Sequence, residues 1–177
     1  SPGNRAATDF CARVIRAAGF QVITSEFSCL DWTTRGATCQ AGTKTFKVFS
    51  SPYSSGCQLI APLRTASSID ELAEVNCSGE ILLMQGDLTR EQLMPRNYPF
   101  YNPETHQYIH ALLDEKAPAA IIAATTRNPE LAGAVYPFPL FEDGNFNIPS
   151  VYTTEEVGAE LLNLTGSRIH LISRAER

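Results

Sequence analysis

The feature that most constrains this chain is a four-residue apolar run, Ile81-Leu82-Leu83-Met84, with glycine on either side at Gly79 and Gly86. An apolar run without polar alternation, cut short by glycines, reads as a central strand covered on both faces. Such a strand needs apolar material above and below it. The chain supplies candidates directly downstream: a helical segment over residues 102–116, then a second apolar run over residues 117–124. Acidic residues stand at both ends of the first run, at Glu80 and Asp87.

Around this centre the remaining signals fall in order. Ala7, Phe10, Cys11, Val14 and Ala18 recur at helical spacing, and Gly19 supplies a stop. Residues 20–27 then read as a strand, which makes an N-terminal αβ appendage. Residues 28–45 are polar and irregular, with turn points at Gly36 and Gly42. Strands are expected over residues 44–49 and 58–63, the second ending at Pro62 or soon after. Ser68 with Glu71 three residues on marks a helix start. Asn102 as N-cap, Pro103 at the first helical position and Glu104 in the first turn mark another, with Ile109, Leu112 and Leu113 as its buried stripe. A loop over residues 125–147 leads to a short strand at 149–152. Thr153 with Glu156 opens a last helix, Gly166 stops it, and residues 168–173 alternate as a final strand. The expected fold is α+β, with about six short strands and two to three helices. Residues 1–43 read as a helix and strand borrowed from a neighbouring domain, and residues 44–177 as a domain of its own.

Length and charge exclude several function classes. At 177 residues the chain makes one ordinary domain, or a small one with an appendage. Its 44% apolar and 19% charged content is that of a globular protein. No apolar run approaches the ~20 residues that span a bilayer. The net charge is −5 and the basic residues are scattered, so nothing resembles a nucleic-acid footprint. The first residues, Ser1-Pro2-Gly3-Asn4, carry no initiator Met and no signal-peptide pattern, which reads as a piece of something longer. The five cysteines have no metal-ligand spacing. They read mainly as small buried apolar residues, although Cys29 and Cys39 could bridge a hairpin. Asn76-Cys77-Ser78 and Asn163-Leu164-Thr165 match the glycosylation pattern at about the frequency chance gives.

Chemistry is hard to find. His106 and His110 share a helix face at the i, i+4 spacing a zinc pair needs, but Gln107 stands where a general base would be. Both histidines are expected on the solvent flank of the apolar stripe, as a plain surface pair. Glu155-Glu156 reads as first-turn acids at a helix start rather than a catalytic pair. No nucleophile elbow, phosphate loop or calcium loop occurs. The best candidate contact surface is an aromatic and Arg-bearing loop, with Arg96, Asn97, Tyr98, Phe100 and Tyr101, together with Phe138 and Phe141 from the later loop. Exposed aromatics beside Arg are enriched at interfaces. The competing reading tucks these rings under the loop as a satellite core.

Several stretches in this order resemble one family. Ser1-Pro-Gly-Asn-Arg-Ala-Ala7, with the helix ending Arg16-Ala-Ala-Gly-Phe-Gln-Val22, is similar to the first helix and strand of secreted two-zinc aminopeptidases, of the bacterial leucyl aminopeptidase and aminopeptidase Y type. Cys77-Ser-Gly-Glu-Ile-Leu-Leu-Met-Gln-Gly86, the helix into Lys116-Ala-Pro-Ala-Ala-Ile-Ile122, and Asn147-Ile-Pro-Ser-Val-Tyr-Thr-Thr-Glu-Glu-Val-Gly158 resemble their protease-associated insert. One departure is Ala117-Pro118-Ala119, where the family usually has Gly-Ala. The resemblance implies a swivelling β/β/α fold for the centre and an extracytoplasmic, secreted parent. It implies no cofactor in this chain, with zinc held in a catalytic peptidase domain elsewhere in cis. The family's His-x-Asp ligand motif is absent: His106, His110 and His170 are followed two residues on by Tyr108, Leu112 and Ile172. No catalytic residue transfers. The expected function is a non-catalytic accessory region that shapes substrate access or binds peptide, with a stand-alone protein-interaction module of the same fold as the alternative. A small hydrolase built on His106 and His110 is a third reading. Cut off from its own sheet, the first helix should fold back on the insert or pair with a second copy in a homodimer.

Overall fold

The computed structural model describes residues 2–125 and 146–177. The chain divides into two units, Ser1–Asp31 and Trp32–Arg177. In the first, α1 spans Pro2–Ala17. It ends in a left-handed Gly19 at φ 87°, whose N–H bonds the Arg16 carbonyl while Phe20 N–H reaches back to Ile15, the glycine-capped ending expected there. The strand expected over residues 20–27 does not form, and Ile23 and Phe27 stand 86% and 85% exposed. A strand is held by ladder bonds to a neighbour, and the described residues of this unit contain no strand to supply them.

The second unit holds the strands β1 (Thr33–Ala41), β2 (Lys44–Phe46), β3 (Phe49–Ser50), β4 (Cys57–Ala66), β5 (Ile81–Met84), β6 (Ala120–Thr125), β7 (Ser150–Thr154) and β8 (Arg168–Glu176). Its helices are α2 (Ile69–Glu74), α3 (Glu104–Lys116) and α4 (Glu155–Leu162). They form an α+β fold on one eight-stranded mixed sheet in the order β2-β1-β8-β4-β5-β6-β7-β3. The strands β4 to β7 run parallel. The pairs β1–β2, β1–β8, β4–β8 and β3–β7 are antiparallel.

The count exceeds the six strands read from sequence because the polar stretch after residue 28 contains β1 and because residues 44–49 form two short strands, β2 beside β1 and β3 beside β7, rather than one. The alternation of β1 is real but weak: Cys39 points inward, fully buried, between polar neighbours. Gly36 is not a turn. It sits at φ 91° where the β1–β8 register shifts between Thr34 and Ala37, a bulge of the kind glycine favours. Gly42 is the turn, in the tight β1–β2 hairpin that pairs Ala41 with Lys44.

Nor does Pro62 end its strand. β4 bonds β8 through Pro62, then β5 from Leu63 onward. The proline, lacking an N–H, falls where the strand changes partner, so no ladder bond is lost.

The central strand is covered as its sequence requires. Leu82 and Met84 face one core with Leu72, Leu112, Leu113, Ile121 and Phe146, under α2 and α3. Ile81 and Leu83 face the other, with Leu63, Ile122, Val151, Ile169 and Leu171, under α4. All four residues are fully buried. α4 lies so close on β6 that a Cβ at Gly158 would stand 2.3 Å from that of Ala124.

The sheet curls until β3, at one end of the order, meets β1 and β8 near the other. Ser50 on β3 bonds Ser173 on β8 through their hydroxyls at 2.9 Å and accepts the Thr34 hydroxyl of β1 at 3.0 Å. Buried hydroxyls therefore close what backbone pairing leaves open. The adjoining turn carries Ser51, bonded to Ser150 at 2.9 Å, and Ser54, whose carbonyl accepts the Trp32 indole N–H at 2.8 Å.

Candidate functional site

The candidate contact loop runs over α3, and it is held there by side chains. α3 starts one residue later than its sequence signals suggest. Pro103, not Asn102, is its N-cap, and Asn102 instead donates to the Arg96 carbonyl at 2.8 Å. Gln107 donates to the Asn102 carbonyl at 2.9 Å. Arg96 forms a two-pronged ion pair with Asp114, both bonds 2.6 Å, and its guanidinium lies 5.5 Å from the Phe146 ring centre. That guanidinium holds the Asp114 carboxyl below the usual carboxylate range.

His106 and His110 are not a surface pair. They are 7% and 4% exposed, and both grip the peptide groups of Met94. His106 Nδ1 accepts the Met94 N–H at 3.2 Å, while His110 Nε2 donates to the Met94 carbonyl at 2.8 Å. The solvent expectation failed because the loop itself covers this helix face. The signal was present: residues 106, 109, 110 and 113 follow the i, i+3, i+4, i+7 pattern of a buried stripe. The grip fixes the His106 tautomer, since a ring nitrogen that accepts a bond carries no proton, so the proton sits on Nε2. Burial pushes His106 below its ordinary value of 6.5, against an opposing pull from the nearby Glu91 carboxylate.

Above this anchorage the rings face outward. Tyr98, Phe100 and Tyr101 are 41%, 87% and 56% exposed, and Asn97 is exposed beside them. Tyr98 and Phe100 meet edge to face at 6.0 Å, and Tyr101 stands edge-on to His106 at 6.3 Å. Phe138 and Phe141, placed with this surface on sequence grounds, lie outside the described residues.

On the other flank of His106 a cleft of about 250 Å³ opens between a 3-10 turn, Gly86–Thr89, and α3. The turn is pinned from below: Asp87 N–H donates to the Ser67 carbonyl at 3.0 Å, and the Thr89 hydroxyl donates to the Ala124 carbonyl at 2.6 Å. Ile69, Leu88, Leu93 and Ile109 line the cleft, with Asp87, Arg90, Glu91, Thr105 and His106 also around it.

The other sequence candidates have structural employment. The N-cap of α4 is Thr154, one residue past Thr153, and its hydroxyl accepts the Val157 N–H at 3.5 Å. Thr153 is buried and bonds the Lys47 carbonyl at 2.6 Å. Glu155 and Glu156 are first-turn acids, and Glu156 is held below the usual range by hydrogen bonds from its own backbone and the Thr154 side chain. Glu80 pairs with Arg64 across β4 and β5. All five cysteines are free, so Cys29 and Cys39 do not bridge. Among the described residues, no three His, Cys, Asp or Glu side chains come together so as to hold a metal ion. No described helix is long and apolar enough to cross a membrane.

With the cleft and the rim in place, the fold can be compared with known ones. A similar fold is found in solved structures of peptidases. An aminopeptidase from Aneurinibacillus sp. strain AM-1 matches at TM-score 0.68 and 18% identity, over 99% of this chain and 40% of that one. A zinc aminopeptidase from Bacillus subtilis, BSAP, matches at TM-score 0.62 and 18% identity, over 97% of this chain and 37% of its own. A subtilisin-like protease, Apa1, from the Antarctic psychrotroph Pseudoalteromonas sp. AS-11 matches at TM-score 0.51 and 15% identity, over 81% of this chain and 35% of that one. The chain thus spans about 40% of the length of the first of these. No family model and no curated protein matches the sequence.

Proposed function

We propose that this chain is a non-catalytic, protease-associated accessory region of a zinc-dependent aminopeptidase, joined in cis to the catalytic domain, where it shapes substrate access or binds peptide. One observation carries the reading: a similar fold recurs in zinc aminopeptidases and in a subtilisin-like protease, covering well under half of each. A metal-activated water and a Ser-His-Asp triad have no catalytic part in common. What such enzymes share is then a part that serves either chemistry without performing it. The ends of the second unit support this. Thr33 on its first strand pairs with Glu176 on its last, so connections in and out emerge side by side, as an inserted unit requires. The zinc chemistry is assigned to the partner domain, since His106 and His110 are committed to Met94. A stand-alone interaction module remains the second reading, favoured by the exposed Tyr98, Phe100 and Tyr101.

Assaying the purified chain with added zinc on an amino-acyl p-nitroanilide tests the proposal. No turnover is expected. Zinc-dependent turnover that disappears in His106→Ala would overturn it in favour of a small hydrolase.

A further inference from the structure

The cleft beside His106 has the layout of a binding site for one residue. Its apolar side chains are deep: Leu88, Leu93 and Ile109 are 3%, 1% and 6% exposed. Its charges are at the mouth, where Asp87, Arg90 and Glu91 are all exposed. None of these three makes an ion pair among the described residues, and together they leave one net negative charge. His106 is the polar group between floor and mouth. Its Nδ1 is taken by Met94, so its other edge, Nε2–H, is left to the cleft it lines, and no described group accepts that proton. An imidazole N–H that opens on the cleft can donate to an acceptor placed there by a ligand.

These positions select a ligand. The acids at the mouth want a cation, the Nε2–H wants a carbonyl oxygen, and the floor wants an apolar group. A lysine side chain has the wrong order, with its charge at the tip that would enter first. A free α-amino group has the right one: the ammonium and its carbonyl sit near the backbone, and the apolar side chain projects away from both. At about 250 Å³ the cleft falls below the roughly 300–1,000 Å³ of sites for larger small molecules, which suits a single residue.

We infer that this cleft binds the amino-terminal residue of a peptide, with an apolar side chain on Leu88, Leu93 and Ile109, the ammonium at Asp87 and Glu91, and the first carbonyl on His106 Nε2–H. The inference rests on the accessory reading in taking peptide as the ligand class, and it deepens that reading by naming which end of the peptide is held.

The test is titration of the whole chain with Leu-Gly-Gly, followed by backbone amide NMR. Shifts confined to residues 86–93 and 104–110 are expected, saturating with a Kd of roughly 1 mM. N-acetylated Leu-Gly-Gly, Ser-Gly-Gly, and the doubly neutralised Asp87→Asn/Glu91→Gln variant should each weaken binding about tenfold. The two substitutions are at exposed positions, so the variant should keep the wild-type spectrum elsewhere. Absence of saturable shifts, or equal affinity for the acetylated peptide, would overturn the assignment. Either failure leaves the accessory reading standing as long as the zinc assay shows no turnover, so the two fail separately.

Discussion

Ala117 is a residue at which local sequence and local structure disagree. It caps α3 at φ 45° and ψ 53°, the left-handed region, where a Cβ costs about 1–2 kcal/mol. The strain is tolerated because its backbone is fully used: its N–H bonds the Leu113 carbonyl at 3.0 Å and its own carbonyl accepts the Gly79 N–H at 3.0 Å. That second bond ties the end of α3 to the turn before β5. The side chain is exposed and contributes no buried area. Ala117→Gly should therefore stabilise the chain by about 0.5–1 kcal/mol, the relief of strain less roughly 0.4–1 kcal/mol of extra unfolded-chain entropy. Urea unfolding measures this directly, and a lower midpoint in the glycine variant would refute it. The sequence gives no hint of this strain, since Ala is a good helix former and Pro118 already marks the helix end.

At the scale of elements, what was legible follows from how strong each periodic signal is. The buried runs at β5 and β6 could be read because both faces are apolar. The start of α2 could be read because Ser68 and Glu71 form a local motif, with the Glu71 N–H bonded to the Ser68 hydroxyl at 3.2 Å. β1 could not, because only Cys39 is fully buried along it and its pairing with β8 joins residues far apart in sequence. The strand at 20–27 was overread for the converse reason: its apolar residues gave a pattern, but pattern without a partner makes no ladder. Of the candidate site, the sequence left the aromatics open between an exposed surface and a satellite core, and Tyr98, Phe100 and Tyr101 are exposed; the grip of α3 on Met94 was not legible, because it depends on where the loop crosses the helix. That grip should respond to pH. Burial holds His106 below its ordinary 6.5, so the folded state favours the neutral ring that accepts the Met94 N–H. The resulting stability is fully present above about pH 6.5 and declines as pH falls from there through the depressed value, because the unfolded chain then binds the extra proton. Hydrogen exchange at Met94 and its neighbours, corrected for intrinsic rates, should quicken between pH 7 and pH 5. Protection that stays constant over that range would show that His106 does not hold the loop.

At the scale of the whole molecule, the question is which residues the second unit needs in order to fold. Both of its cores are complete without the first unit. One is built from residues between Ala66 and Phe146, the other from residues between Cys39 and Leu171. The hydroxyl bonds that close the sheet join Thr34, Ser50 and Ser173, all within the same unit. The two ends are secured on one turn: Trp32 donates to the Ser54 carbonyl, and Arg177 donates to the carbonyls of Tyr53 and Phe146 at 3.3 and 2.9 Å. The first unit, by contrast, buries only Ala12 of α1 and leaves Phe10 and Val14 59% and 53% exposed. Deleting residues 1–31 should remove apolar surface without removing core. The shortened chain should unfold cooperatively, with its Tm shifted by less than roughly 4 °C, the change about 1 kcal/mol produces in a domain of this size. It should also self-associate less than the full chain in sedimentation runs at matched concentration, since exposed apolar patches promote association. A large fall in Tm, or loss of cooperative melting, would mean that the sheet depends on the first unit.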